Sequence, residues 1–166
     1  MKSLSVVTVS VWTVVSGVLG FAYSSWAVAN GYHVPVSGVS LSISIFLATV
    51  ILVFLASPIY RYKRQLKKVM EAKDGQAVQK PLPVDPFYAV KVLLLAKAAG
   101  ITAALFAGWH IGVIIKQLNT TVVVGENVAP NIVGGIASFV LLAAAFIVVE
   151  ICKLPNDGNK DEAVPA

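Results

Sequence analysis

Charge is what this chain has least of. Only 13% of its 166 residues are charged, against roughly 25% for an average soluble domain. A soluble fold of this length needs a polar surface that so few charges cannot provide. Acids are the scarcer sign: eight Asp and Glu stand against 13 Lys and Arg, for a net charge of +5. Cysteine is almost missing. Cys152 is the only one, which excludes an intrachain disulfide and a cysteine-based metal cluster. Histidine is limited to His33 and His110. The chain also lacks a Walker motif, a nucleophile elbow, a His-Glu-x-x-His pair and a dinucleotide fingerprint. The expectation is a non-enzymatic protein with no catalytic, cofactor-binding or metal site.

Apolar residues are what the chain has instead. They make up 57% of it, and the mean hydropathy is +0.81. They fall into four long runs, at about 6–28, 41–59, 93–115 and 132–151. Each run comes close to the ~20 residues that cross a hydrocarbon core of about 30 Å. The predicted fold is all-α, with four transmembrane helices in an antiparallel bundle. One membrane domain covers 1–155, and a polar tail over 156–166 is expected to be disordered.

The third apolar segment, Phe87 to Ile115, organises this reading. Ala96, Gly100, Ala104, Gly108 and Gly112 recur every four residues, and Ala99, Ala103 and Ala107 run beside them. At 100° per residue the two rows merge into one smooth face. Leu94, Ile101, Leu105, Trp109 and Val113 fall on the other face. In lipid, small residues mark the packed side of a helix and large ones can meet the acyl chains. The segment is therefore expected to be the central helix of the bundle.

Elsewhere the punctuation is clear. The first run has small residues at Thr13, Ser16, Gly17, Gly20 and Ser24. Lys2 and Ala27-Val28-Ala29 also fit a secretory signal with its cleavage site. The run is longer than the ~7–15-residue core of such signals, which favours an uncleaved helix, and both readings stay open. Asn30-Gly31 and Pro35 mark a loop over 30–40. Ser57-Pro58 is expected to kink or end the second span. A basic loop over 60–85 follows, its first half reading as an amphipathic helix and the rest, with Gly75, Pro81 and Pro83, as a linker. Asp85-Pro86 reads as an N-cap followed by a first-turn proline. The fourth span is expected to begin after Pro130. Asn119-Thr120-Thr121 fits a glycosylation pattern too short to be specific.

The basic loop sets the expected orientation. Arg61, Lys63, Arg64, Lys67, Lys68, Lys73 and Lys80 crowd it, whereas loop 30–40 carries no Lys or Arg and 116–131 carries only Lys116. By the positive-inside rule the basic loop and both termini are cytoplasmic, in the inner (plasma) membrane of a cell. Arg61, Lys63, Arg64, Lys67 and Lys68 are candidate contacts for anionic lipid headgroups. A solvated orientation signal with no partner explains them equally well. Nucleic acid is not expected, because the loop adjoins a span and carries no reader motif.

Within the spans, Lys97 and Glu150 each lie eighteen residues from an end of their helix, Ile115 and Ile132. Antiparallel helices would bring them to one depth near the cytoplasmic boundary, as an intramembrane ion pair or as two side chains snorkelling to the interface. His110 is expected to be a packed histidine bonded to a neighbouring helix; a metal shared with His33 is the weaker reading. Trp26, Trp109, Tyr23 and Tyr32 suit an aromatic belt.

Two patches then carry a resemblance. Asp85-Pro86 is followed by Ala89, Lys91, Leu95-Ala96-Lys97-Ala98 and Gly108; the last span ends in Glu150-Ile151-Cys152-Lys153-Leu154-Pro155. With the four-span layout, they resemble an uncharacterised family of small actinobacterial integral membrane proteins, a domain of unknown function often encoded beside folate-biosynthesis genes. That family often carries Arg at the positions of Lys91 and Lys153, where this sequence departs. The resemblance implies a bacterial membrane protein and no particular activity. The function expected is an accessory protein that packs against a membrane partner or itself. The alternative is a small transporter or permeability component using Lys97, Glu150 and His110. An enzyme acting on a lipid-like substrate near Lys97 ranks third.

Overall fold

In a computed structural model, which describes residues 5–71, 85–119 and 125–152, the chain forms four helices: α1 (Val6–Ala29), α2 (Val39–Glu71), α3 (Pro86–Leu118) and α4 (Gly125–Cys152). All four are long and apolar enough to cross a membrane. Helix is the economical answer for so apolar a chain, because it satisfies the backbone within one segment where lipid offers no hydrogen bonds.

The helix ends follow local chemistry. Asp85 accepts a 2.9 Å bond from the Phe87 amide, and Pro86 occupies the first turn, as their sequence predicts. α1 closes on Asn30-Gly31. The Gly31 amide bonds to the Val28 carbonyl at 3.1 Å and the Tyr32 amide to the Ala27 carbonyl at 2.9 Å. This pair of bonds is a Schellman closure, and it needs the left-handed backbone that Gly31 adopts at φ 77°.

Two boundaries differ from the sequence reading. α2 does not stop at Pro58 but continues to Glu71, so the first part of the basic segment belongs to it. A proline deprives the carbonyl four residues back, that of Phe54, of its helical partner. Neighbouring helices can stabilise such a break in lipid. Here the Tyr88 hydroxyl of α3 donates to the next carbonyl, Leu55, at 2.8 Å. The second difference is at α4, which begins at Gly125 and takes Pro130 in its stride. Pro130 is the sixth residue of α4, and its missing amide removes one helical bond, which leaves the rest of the helix intact. The expectations for Lys2, Lys73, Gly75, Lys80, Pro81, Pro83, Thr120–Thr121 and the tail beyond Cys152 lie outside the described residues.

α3 is the middle of the assembly. α1 rests on α3, α3 on α4 and α4 on α2, with a lighter contact between α2 and α3. The two small-residue rows of α3, which the sequence merges into one face, serve two neighbours. On one flank, a Cβ on Gly108 would run into the Thr13 carbonyl of α1, and one on Gly112 into that of Gly17. Gly20 is also tight, its Cβ position lying 2.7 Å from the Trp109 carbonyl oxygen. Backbones meet directly there, as small residues permit. On the other flank, Ala96 and Ala103 join Ile45, Leu52 and Ala56 of α2 and Leu141, Ala145 and Val148 of α4 in the core.

Serving two neighbours widens the buried arc and corrects one assignment. Leu94 and Leu105 are exposed, but Val113, expected beside them, is only 1% exposed. It lies about 60° around the helix from His110 and about 40° from Gln117, on the α4 flank.

Candidate functional site

The largest concentration of buried polar groups lies at the end of the bundle that carries residues 30–38. His110, Gln117 and Asn131 are 0%, 5% and 1% exposed. Each comes from a helix, and together they hold a loop. The Asn131 carboxamide accepts from the Ser37 amide at 2.9 Å and donates to the Pro35 carbonyl at 3.1 Å. It also donates to Gln117 Oε1 at 3.1 Å. One side chain thus takes a donor from Ser37 and an acceptor from Pro35 on the loop backbone.

His110 completes the clamp. Its Nδ1 is 2.6 Å from the Phe106 carbonyl oxygen, and its Nε2 is 2.9 Å from Ser37 Oγ. A carbonyl can only accept, so Nδ1 carries the proton; in the neutral ring Nε2 then accepts from the serine hydroxyl. The ring lies on Gly134 of α4, where a Cβ would collide with Nε2. Glycine is therefore what lets a histidine enter between α3 and α4. No buried side-chain nitrogen or oxygen among the described residues is left without a hydrogen bond. A satisfied network of this kind fixes one arrangement. It anchors the loop to two helices.

Aromatic rings gather beside the loop: Tyr23 and Trp26 from α1, Trp109 from α3 and Tyr32 from the loop itself. Trp26 and Tyr32 stack at 6.0 Å between centroids, Tyr23 stands 6.0 Å from Trp26, and Tyr23 stands 5.7 Å from Trp109. Tyr23, Trp26 and Tyr32 are exposed. With Ala27, His33 and Pro35 they line a cavity of about 430 Å³.

The residues singled out from sequence are distributed between the two ends. His110 is bonded and packed, as expected, but its helical neighbour is a glycine and its partner a loop serine. His33 is exposed and lines the cavity. Among the described residues no group of three His, Cys, Asp or Glu could hold a metal ion. At the opposite end, Lys97 is half-buried on α3 and Glu150 is exposed on α4. Arg61, Arg64 and Lys67 are exposed, whereas Lys63 is half-buried and its Nζ donates to the Glu150 backbone carbonyl at 3.4 Å. The Lys68 side chain lies outside the described ones.

Sequence reasoning missed Ser37, Gln117 and Asn131. Asn131 and Gln117 did leave a signal, because an amide side chain at the edge of an apolar run needs a partner once buried. Their partners could not be read, since Asn131 is 94 residues from Ser37 and 96 from Pro35.

No curated protein and no solved structure matches the chain. A family model matches residues 9–156. The chain thus belongs to the family described as protein of unknown function DUF3180, in keeping with the domain-of-unknown-function resemblance carried by residues 85–98 and 150–155.

Proposed function

We propose that this is a multi-pass protein of the bacterial cell membrane that acts as a non-enzymatic accessory, recognising a membrane-protein partner through the aromatic face at the 30–38 end. The observation that carries this reading is the pairing of exposed Tyr23, Trp26 and Tyr32 with a loop locked by Asn131 and His110. Tyr and Trp dominate the energetics of protein interfaces, and a pre-ordered surface loses little entropy on binding. Aromatic residues at a membrane boundary also arise as a simple belt. A belt, however, needs no buried clamp behind it.

In this reading the four helices alternate in direction. Support comes from the meeting of Gln117 with Asn131 and His110 with Gly134 across α3 and α4, and of Tyr88 with Leu55 across α2 and α3. The basic end is cytoplasmic, both termini lie inside, and the aromatic face is external. The same register brings Lys97 level with the Glu150 region, which favours an interfacial ion pair. The small-residue faces of α3 are occupied by α1 and α4, so the partner surface lies at the loop end. If the family's neighbourhood to folate-biosynthesis genes extends to this chain, the partner belongs to that setting.

The transport alternative asks Lys97 and His110 to share a polar path. Thirteen residues of helix, about 20 Å, separate them, and the core between includes Ala99, Ala103 and Ala107.

The test is purification from native membranes in a mild detergent, with mass spectrometry of what accompanies the protein. A stoichiometric partner should survive washing and be lost from Trp26→Ala/Tyr32→Ala. A protein recovered alone, or a partner indifferent to both substitutions, contradicts the reading.

A further inference from the structure

We infer that the side of α2 carrying Arg61, Arg64 and Lys67 is a binding site for the phosphodiester headgroups of anionic phospholipids. The helix makes the site. Because α2 runs unbroken through Pro58 to Glu71, these residues stand on a continuous scaffold and not on a linker. They recur every third residue, so they share one side of the helix over an arc of about 120°. All three are exposed. Tyr60, 50% exposed, adjoins them, as suits an amphipathic ring at headgroup depth.

Burial separates Lys63 from this group: it is half-buried, whereas Arg61, Arg64 and Lys67 are exposed. Its ammonium donates to the Glu150 carbonyl, in the last turn of α4 and at the negative end of the helix dipole. Lys63 is thus a cap that ties α2 to the end of α4. α2 continues eight residues past it, about 12 Å, and so carries Arg64 and Lys67 beyond the point where α4 is held. Guanidinium groups suit this position, because they pair with phosphate oxygens through two parallel bonds and stay charged near lipid. A basic cluster directly following a span is drawn to anionic lipid surfaces.

The inference is independent of the aromatic-face reading, since it needs only the purified chain and defined lipids. The experiment is native mass spectrometry of the full-length protein in detergent with equimolar phosphatidylglycerol and phosphatidylcholine. The wild type should retain phosphatidylglycerol preferentially. Arg61→Gln/Arg64→Gln should cut that preference about 25-fold, at about fivefold per charge. Arg61→Lys/Arg64→Lys should keep most of it. Lys63→Gln should leave the preference within about twofold while lowering the unfolding temperature. The inference is overturned if the wild type shows no preference, if the glutamine pair matches the wild type, or if Lys63→Gln matches the glutamine pair.

Discussion

Adding one methyl group at Gly108 should loosen α1 from the rest of the protein. The new Cβ would sit well inside contact distance of the Thr13 carbonyl oxygen and 3.0 Å from the Gly17 amide nitrogen. Both obstacles are backbone, so no rotamer change relieves the clash. α1 must shift by about 1 Å, which forfeits a quarter to a half of the dispersion energy of the contacts it holds. The neighbouring hydrogen bond from Ser16 Oγ to the Leu105 carbonyl would be stretched as well; such bonds are worth about 0.6 kcal/mol in membrane proteins. Overpacking of a tight core costs about 1–3 kcal/mol, so Gly108→Ala should cost about 2–3 kcal/mol, and Gly112→Ala a similar amount. Gly135→Ala is the control, because its Cβ would meet only the Cβ of His110, at an ordinary 3.5 Å. Thermal or denaturant unfolding in detergent reads the difference. Gly108→Ala and Gly112→Ala variants as stable as Gly135→Ala would refute direct backbone contact between α1 and α3.

Other consequences can be checked the same way. Asn131→Ala removes the hydrogen bonds to Ser37, Pro35 and Gln117 and takes their partner from the Ser37 amide and the Pro35 carbonyl; a loss of about 2–4 kcal/mol is expected, with faster proteolysis between residues 30 and 38. Gly134→Ala should displace the His110 ring and reproduce much of that loss. Tyr88→Phe should cost about 0.6–1.7 kcal/mol through the Leu55 carbonyl, and combining it with Pro58→Ala should restore part of that stability. If Lys97 and Glu150 form an ion pair, each single charge reversal should lower the yield of folded protein and the double reversal Lys97→Glu/Glu150→Lys should recover it; no recovery would count against the pair.

The four helices were legible because composition alone excludes a soluble surface and apolar length sets the spans. Local punctuation was legible too: Asp85-Pro86 caps α3, and Asn30-Gly31 closes α1. Pro58 does not end α2, one of the two outcomes its sequence allows, because a proline removes a single backbone bond and a neighbouring helix can brace the segment around it. Here Tyr88, thirty residues on in sequence, donates beside the gap. The small residues of α3 were visible as a packed face, but their division between α1 and α4 was not, since one helical wheel cannot say how many neighbours a helix has. Val113 was misplaced for that reason. The clamp was least legible of all. His110, Ser37, Gln117 and Asn131 are ordinary residues singly, and only the fold brings them within 3.1 Å of one another's partners.

The most direct test of the proposed function is photo-crosslinking in native membranes. A photoreactive residue at Tyr32 samples the aromatic face, and one at Phe54, 77% exposed on the apolar side of α2, samples the lipid-facing surface. The account predicts one discrete protein adduct from position 32, absent from position 54 and lost when Asn131→Ala releases the loop. No adduct from position 32, or the same adducts from both positions, would contradict it.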